Sequence, residues 1–153
     1  MTTQLRNDSP GKHVVDTGLG GSTADAILER PVCEFMTPGC TVISEAATVA
    51  DAAKVLAEHR VHAVLVLGAD NGTPLGWITA RGLIGWLGRD RSLAPARDAI
   101  TEQVTAVDPQ EYVRTAHYAL SLSGTTHLLV RRKPHKLPLG VLTDFDLAIA
   151  AGR

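Results

Sequence analysis

Short apolar runs alternate with segments of helical period along most of this chain. Val61–Leu67 is short and rich in β-branched side chains, a pattern typical of a buried strand. Asp70–Gly72 then supplies turn residues, and Pro74–Thr79 is apolar again, so the two runs predict a β-hairpin. An earlier run, Cys40–Ile43, is also short and β-rich and predicts one more strand.

The segment between these strands has helical period. Thr48 followed three residues later by Asp51 is the signature of a capping box, and it opens a helix to about His59. The apolar residues of this helix share one stripe: Val49, Ala52, Ala53 and Leu56. After the hairpin, Ala80–Leu87 predicts a last helix, which completes a β-α-β-β-α order.

The second half of the chain repeats this order. We expect a strand near Thr105–Val107, a helix over Glu111–Leu122 closed by Gly124, strands over Thr126–Arg131 and Leu137–Thr143, and a helix over Asp144–Ala150. A shift of 64 residues, which brings Gly76 onto Gly140, aligns the two halves without a gap. Identical pairs at this shift include Thr37/Thr101, Thr41/Thr105, Val49/Val113, Leu65/Leu129, Val66/Val130, Pro74/Pro138 and Thr79/Thr143. The constant offset indicates a tandem duplication.

The duplication predicts the fold class. One copy is too small to bury its sheet and both helices, so we expect an α+β fold in which two β-α-β-β-α repeats pack about a pseudo-two-fold axis, with two equivalent clefts at their junction. We divide the chain into a flexible tail (1–22), a first repeat with a short preceding helix (23–90) and a second repeat (91–153). Ser22 is a candidate cap for that helix, Thr23–Arg30, which Pro31 would stop.

Composition narrows the classes of partner. The 153 residues are 44% hydrophobic and carry a formal net charge of −1, which gives no global attraction to nucleic acid or an anionic membrane. Cys33 and Cys40 are too few for a disulfide framework and indicate reduced thiols. No secretory signal opens the sequence, and no run reaches the ~18–20 apolar residues of a membrane span. We expect a cytoplasmic protein with neither a membrane nor a nucleic-acid partner.

Each copy ends in Gly-x-x-Thr immediately before a helix. In the second copy Thr143 stands where strand becomes helix, and Asp146 lies one turn on, on the same side. Such a pair suits a phosphate at the helix start and a ribose diol at the carboxylate. It equally suits plain N-capping, in which Asp146 completes a capping box. The first copy has Gly82 in place of the aspartate, and glycine can neither bind a diol nor favour a helix.

The order of elements, the duplication and these motifs resemble the cystathionine-β-synthase (CBS) domain family, from about Val32 to about Ala150. Met36-Thr37-Pro38 and the Gly-x-x-Thr endings are the segments that carry the resemblance. Two such repeats form what the family calls a Bateman module. The resemblance implies a non-catalytic regulatory module without an obligatory cofactor, which forms a homodimer. It also implies an adenosyl ligand in the inter-repeat cleft: AMP, ADP, ATP, S-adenosylmethionine, NAD or a cyclic dinucleotide.

The resemblance further implies which residues form the sites. In a competent cleft the ligand contacts would come from Thr143, Asp146, Thr105, Val107, Thr125, Thr126, His127 and Leu128. A degenerate second cleft would contain Thr79, Gly82, Thr41 and His62. Because hydrogen bonds to a charged partner are worth roughly 1.5–3 kcal/mol, the missing carboxylate at Gly82 would weaken binding about ten- to a hundredfold. Trp77 would fill the core or line the weaker cleft.

Other signals point to no further chemistry. His59 and His62 straddle a helix end and a strand start without an accompanying carboxylate, so no metal site is predicted. No nucleophile motif is present, which disfavours an enzyme. The basic cluster Arg131–Lys136 fits a solvated loop tip, a contact for a polyphosphate ligand or a patch for an acidic partner.

The alternative function is a ligand-free dimeric scaffold that regulates an unidentified protein target.

Overall fold

The computed structural model describes residues 23–88, 93–134 and 137–152. The predicted tail (1–22), with Ser22, and two residues of the basic loop, His135 and Lys136, lie outside the described residues. The first half contains α1 (Thr23–Ile27), β1 (Thr37–Pro38), β2 (Val42–Ser44), α2 (Val49–His59), β3 (Ala63–Leu67), β4 (Pro74–Thr79) and α3 (Ala80–Leu83). The second half contains β5 (Ala106–Val107), α4 (Val113–Ser123), β6 (His127–Val130), β7 (Gly140–Thr143) and α5 (Asp144–Ala151). The predicted β-α-β-β-α order is confirmed in both halves.

Several predicted boundaries are wrong for local reasons. The helix expected over Ala80–Leu87 is α3 followed by a 3-10 turn at Ile84–Trp86, because glycines 82 and 85 weaken an α-helix. The helix expected over Thr23–Arg30 stops at Ile27, ahead of the extended Pro31. The strand expected from Leu137 begins only at Gly140, after Pro138, which has no N–H for a ladder.

Two sheets face each other. The first has the order β2-β3-β4, with β2 parallel and β4 antiparallel to β3. The second has the order β1-β7-β6-β5, with β5 parallel to β6, and β7 antiparallel to both β6 and β1. β1 therefore lies in the first repeat in sequence but belongs to the sheet of the second.

Each repeat thus contributes a segment to the sheet of the other, which we call the exchange of segments. The segment from the second repeat contains Glu102, which pairs with Trp77 in the sheet of the first repeat. The pairing requires glycine at two equivalent positions. A Cβ at Gly140 would lie 2.6 Å from the Thr37 carbonyl oxygen, and a Cβ at Gly76 would lie 2.3 Å from the Ile100 side chain. Gly140 thus permits the close approach of the β1 backbone.

Alternation along the central strands divides the core into three parts. On β3, Val64 and Val66 pack with α2, whereas Ala63 and Leu65 face the other sheet. On β6 the same period places Leu129 between the sheets and turns its neighbours towards the helices of the second repeat. The sheet-to-sheet core contains Ala63, Leu65, Trp77 and Leu129. Burying a side chain of this size contributes about 1.5–3 kcal/mol, so this contact holds the repeats together.

Among the described residues, no helix combines the length and the apolar character needed to cross a membrane.

Candidate functional site

A cleft of about 770 Å³ opens at the junction of the two repeats. Its walls come from the segment around β1, the start of β3, the end of β4 and the end of β7. Each repeat therefore supplies part of the same cavity. Its volume lies within the roughly 300–1,000 Å³ of small-molecule sites. The described residues that line it are Thr37–Thr41, Arg60–Ala63, Trp77, Thr79–Arg81, Glu102, Thr126, His127, Val141 and Thr143–Asp146.

The Asp146 end of the cleft is a capping box. The Thr143 hydroxyl accepts a hydrogen bond from Asp146 N at 3.0 Å, and Thr143 N donates to Asp146 Oδ2 at 2.9 Å. The capping interpretation of these residues is thus confirmed. It uses only one carboxylate oxygen, and no described residue donates to Oδ1. Asp146 also lines the cleft, so a fixed carboxylate with one acceptor to spare stands in its wall.

The equivalent position in the first repeat is closed. Gly82 N donates to Thr79 Oγ1 at 3.0 Å, and Thr79 Oγ1 lies 3.3 Å from Thr101 Oγ1. A Cβ built on Gly82 would lie 2.7 Å from Thr101 Cγ2 and 2.9 Å from Thr101 Oγ1. Thr101 therefore occupies the space that a longer side chain at position 82 would need. Gly82 is not among the residues that line the cleft.

The sequence predicted a separate cleft that contains Thr41, His62 and Thr79. In the structure these residues line the same cleft as Thr143 and Asp146. The physical reason is the exchange of segments. Because β1 pairs with β7, the residues that follow β1 lie beside the second repeat, although they belong to the first. The grouping by repeat was therefore wrong, although Thr143 and Asp146 do lie in one cleft.

Four of the residues expected beside Asp146 do not line this cleft. Val107 and Leu128 are buried in the core of the second repeat, against its helices. Thr105 uses its backbone carbonyl to accept from Leu129 N at 2.9 Å, inside the sheet. Thr125 is buried and lines a smaller depression of about 420 Å³ between α4 and α5. These positions follow from strand alternation, which turns alternate side chains to the helix side.

Thr126, His127 and Glu102 form a hydrogen-bonded cluster in the cleft. Glu102 accepts from Thr126 N at 3.1 Å through Oε1 and from Thr126 Oγ1 at 2.9 Å through Oε2. Thr126 Oγ1 also lies 2.8 Å from His127 Nδ1. Since that hydroxyl gives its proton to the carboxylate, it accepts from Nδ1–H. The assigned tautomer of neutral His127 then presents Nε2 as an acceptor.

The surroundings keep His127 neutral. Burial lowers the pKa of His127 below its usual 6.5, and the nearby Glu102, Asp144 and Asp146 carboxylates oppose this only in part; His62 adds to the lowering. The His127 ring lies 5.4 Å from the Trp77 ring, between centroids, at an interplanar angle of 37°. Trp77 is 1% exposed and belongs to the sheet-to-sheet core, and it also contributes to the cleft wall. No described residue accepts from its buried Nε1–H.

The environment of Cys40 does not favour a nucleophile. Burial raises the pKa of the Cys40 thiol to about 11, which keeps it protonated at neutral pH and a poor nucleophile. Cys33 and Cys40 are both free thiols. Across the described ranges, no three His, Cys, Asp or Glu side chains are grouped as metal ligands.

Residues that line the cleft because each repeat contributes a segment to the other were not predicted from the sequence: the segment Thr37–Cys40 and Glu102. Arg60 and Arg81 were not predicted either. The signal for the first set was the pair of equivalent glycines, Gly76 and Gly140, each of which marks a neighbouring backbone or side chain from the other repeat. The signal for Arg60 was its alignment with Gly124, a helix-ending glycine, in the second copy.

One family model matches part of the chain. Residues 32–89 match the model of the CBS domain. No match was found among curated protein sequences.

Three of the matching solved structures each cover between 76% and 94% of the chain. The CBS domain of a bacterial CNNM/CorC family Mg²⁺ transporter in complex with ATP is 19% identical, with a TM-score of 0.74, over 94% of this chain and 98% of that one. A CBS domain protein from Pyrobaculum aerophilum complexed with AMP is 23% identical, with a TM-score of 0.65, over 76% and 88%. A CBS-domain containing protein from Agrobacterium tumefaciens is 19% identical, with a TM-score of 0.67, over 80% and 94%. At these identities the likeness is one of fold.

Proposed function

This chain contains a CBS domain at residues 32–89 and has the fold of CBS-domain proteins throughout its described part, and on that premise we propose that it is a non-catalytic regulatory module. The ligand is an adenosyl compound of the AMP, ADP, ATP or S-adenosylmethionine class, and it binds in the inter-repeat cleft. Similar folds described in complex with ATP and with AMP support this class of ligand.

Asp146 is the observation that carries the proposal. The capping box fixes the carboxylate in the cleft wall and leaves Oδ1 without a donor among the described residues. A vicinal diol offers two hydroxyl donors to such a group. Hydrogen bonds to a charged acceptor are worth roughly 1.5–3 kcal/mol, enough to set affinity by one to two orders of magnitude.

The rest of the cleft suits a purine base. Val61, Ala63 and Val141 give apolar wall, and the Trp77 ring stands beside the His127 ring. His127 Nε2 is an acceptor, and the exocyclic amine of adenine is a donor. The base therefore finds apolar surface with one polar partner, as small-molecule sites commonly provide.

Ligand binding in this place acts on the packing of the repeats. Thr41 and His62 come from the first repeat, and Thr143 and Asp146 come from the second. A ligand that contacts both sides favours whichever arrangement gives it the better contacts. This coupling is the basis of the proposed signal to a protein target.

We further propose that the protein is a homodimer formed through the helices of the second repeat. Tyr118 and Leu122 are 63% and 69% exposed on one face of α4. The equivalent residues on α2 are Lys54 and Glu58, which are charged and pair with each other at the surface. Of the two equivalent helices, α4 thus presents an apolar face and α2 does not. In a symmetric dimer, α4 of one protomer would pack against α4 of its partner.

The test is thermal unfolding with AMP, ADP, ATP and S-adenosylmethionine, on the wild type and on Asp146→Asn. A ligand at 100 times its Kd stabilises a one-site protein by about 2.7 kcal/mol. We expect at least one of these compounds to raise the Tm of the wild type, and Asp146→Asn to lose most of that shift, because the amide can still cap the helix but lacks the charge.

Asp51→Asn is the matched control, since Thr48 and Asp51 form the same capping box outside the cleft. It should change the unliganded Tm about as much as Asp146→Asn does and leave the ligand shift intact. If none of the four compounds moves the wild-type Tm, the adenosyl proposal is wrong.

The second candidate is a ligand-free scaffold. The closed position at Gly82, where Thr101 fills the space of a side chain, favours it. In that case the dimer would form, a partner protein would be retained in a pull-down, and no nucleotide would alter either result.

A further inference from the structure

Arg60 has an unusual backbone for its residue type. It follows α2 with φ 53° and ψ 46°, in the left-handed region. In the part of the chain that the structure describes, it is the one residue other than glycine with positive φ. The equivalent position after α4 is Gly124, with φ 70° and ψ 10°. Side chains with a Cβ are disfavoured in this conformation, which helix ends usually give to glycine.

The side chain at this strained position belongs to the cleft. Arg60 lines it, and so does Arg81, which stands where the second repeat has Phe145. Both arginines are exposed, and neither forms an ion pair with any other residue in the described ranges. Two unpaired guanidinium groups of the first repeat therefore border a cleft that three carboxylates also line, Glu102, Asp144 and Asp146, all of them from the second half of the chain.

The cleft is therefore lined by two chemically different kinds of charged group. The carboxylates accept hydrogen bonds, which suits hydroxyl groups. The guanidinium groups offer forked donors that match phosphate oxygens. A helix C-terminus also favours a cation on electrostatic grounds, but Gly124 ends the other helix without one. Strained residues persist chiefly where a binding role retains them.

We infer that Arg60 and Arg81 bind the phosphate groups of the ligand, so that the cleft selects nucleoside di- and triphosphates over nucleosides. The inference rests on the proposed function, with the sugar held at Asp146. It adds a specificity element of this chain's own, since the second repeat has a glycine and a phenylalanine at the matching positions.

The experiment is calorimetric titration with adenosine, AMP, ADP and ATP. The proteins are the wild type, Arg60→Gln, Arg60→Gly, Arg81→Gln, the Arg60→Gln/Arg81→Gln double variant, and Arg132→Gln as a control that removes one exposed charge from the hairpin loop. We expect the wild type to bind ATP at least about tenfold more tightly than adenosine. The double variant should bind ATP about ten- to a hundredfold more weakly and adenosine unchanged. Arg132→Gln should match the wild type.

Arg60→Gly separates binding from folding. Because glycine accepts the left-handed backbone, this variant should melt at the same or a higher temperature than the wild type. It should nevertheless lose ATP affinity as Arg60→Gln does. A purely structural arginine would not give this combination.

Two outcomes overturn the inference while the proposed function stands: ATP bound by the double variant as tightly as by the wild type, or adenosine and ATP bound equally by the wild type. If no adenosyl compound binds, the proposed function fails, and inorganic triphosphate decides the inference separately. Triphosphate binding that the double variant loses supports the arginine pair, and no binding of triphosphate by the wild type overturns it.

Discussion

Asp146 and Gly82 occupy the same position in the two repeats, yet their surroundings are not interchangeable. Asp146 completes a capping box and faces the cleft. Gly82 lies against Thr101, which fills the space a side chain would take. The first repeat has therefore not simply lost a carboxylate; a neighbouring threonine now occupies its place.

Gly82→Asp should consequently fail to restore a second site. The new Cβ would stand 2.7 Å from Thr101 Cγ2, and overpacking of this kind typically costs about 1–3 kcal/mol. Thr101→Ala removes the obstructing atoms, so the double variant should be more stable than Gly82→Asp alone. Urea unfolding of the two single variants and the double variant measures this coupling. Independent, additive effects of the two substitutions would show that Thr101 is not the obstacle.

His127 predicts how stability depends on pH. Burial lowers its pKa below 6.5, so the unfolded chain binds a proton more readily than the folded one. The contribution of neutral His127 is fully present above about pH 6.5 and is lost as the pH falls towards the folded-state pKa. His62, Glu102, Asp144 and Asp146 face the same ring and set how large the loss is.

The check is the free energy of unfolding between pH 7.5 and pH 5.5 for the wild type and His127→Gln. The wild type should lose stability more steeply than the variant as the pH falls, because glutamine does not titrate. Equal slopes would show that His127 is not held neutral by its surroundings.

At the scale of single residues, the sequence predicted chemistry better than location. Thr143 and Asp146 were predicted as a pair from their spacing alone, because a helix start brings residues three apart together. Thr41, His62 and Thr79 were assigned to a different cleft, since no local pattern tells which segment a distant strand will contact. The Arg60 conformation was missed because propensity gives no warning when a side chain replaces a helix-ending glycine.

The elements show the same division between local and distant contacts. Helix α2 with its capping box and the β3–β4 hairpin were predicted closely, since turn and capping residues lie in the sequence beside them. β1 was not predicted. It has two residues, too few for an alternating pattern, and its partner β7 lies about a hundred residues away in the chain.

Gly140→Ala tests the β1–β7 pairing. Its Cβ would stand 2.6 Å from the Thr37 carbonyl oxygen, a backbone atom that cannot move without displacing β1. We expect a loss of about 1–3 kcal/mol in urea unfolding and faster amide exchange at Gly39, whose N–H donates to the Leu139 carbonyl oxygen at 2.8 Å. Ligand affinity should fall as well, because Thr37–Thr41 leads into the cleft wall.

Gly85→Ala is the control, because nothing lies within 4 Å of its Cβ position. This variant should be as stable as the wild type or slightly more so, since alanine restricts the unfolded chain. A Gly140→Ala variant with unchanged stability would mean that β1 is not held tightly on β7.

For the molecule as a whole, the duplication determines the fold, and departures from symmetry determine the proposed function. The 64-residue shift relates the two sheets to each other, and it also relates the two exchanged segments. The cleft does not follow this symmetry: its arginines come from the first repeat and its carboxylates from the second. The fold class followed from the repeated pattern, whereas the asymmetry became visible only once the exchange had placed both repeats around one cavity.

The proposed dimer depends on the same kind of asymmetry. Tyr118→Lys with Leu122→Glu gives α4 the surface residues of α2, and it should convert a dimer into a chain of 16.2 kDa in light scattering after gel filtration. Leu93→Glu removes another exposed apolar side chain, 84% exposed and outside the helices, and should leave the dimer intact. A wild type that is monomeric at all concentrations would contradict the dimer.

A crystal structure of the wild type grown in saturating ATP is the decisive test of ligand binding in the inter-repeat cleft. We predict density for a nucleotide between the Thr41–His62 wall and the Thr143–Asp146 wall, with the ribose hydroxyls at the Asp146 carboxylate. An empty cleft at saturating ATP, or a nucleotide bound elsewhere on the surface, would contradict it.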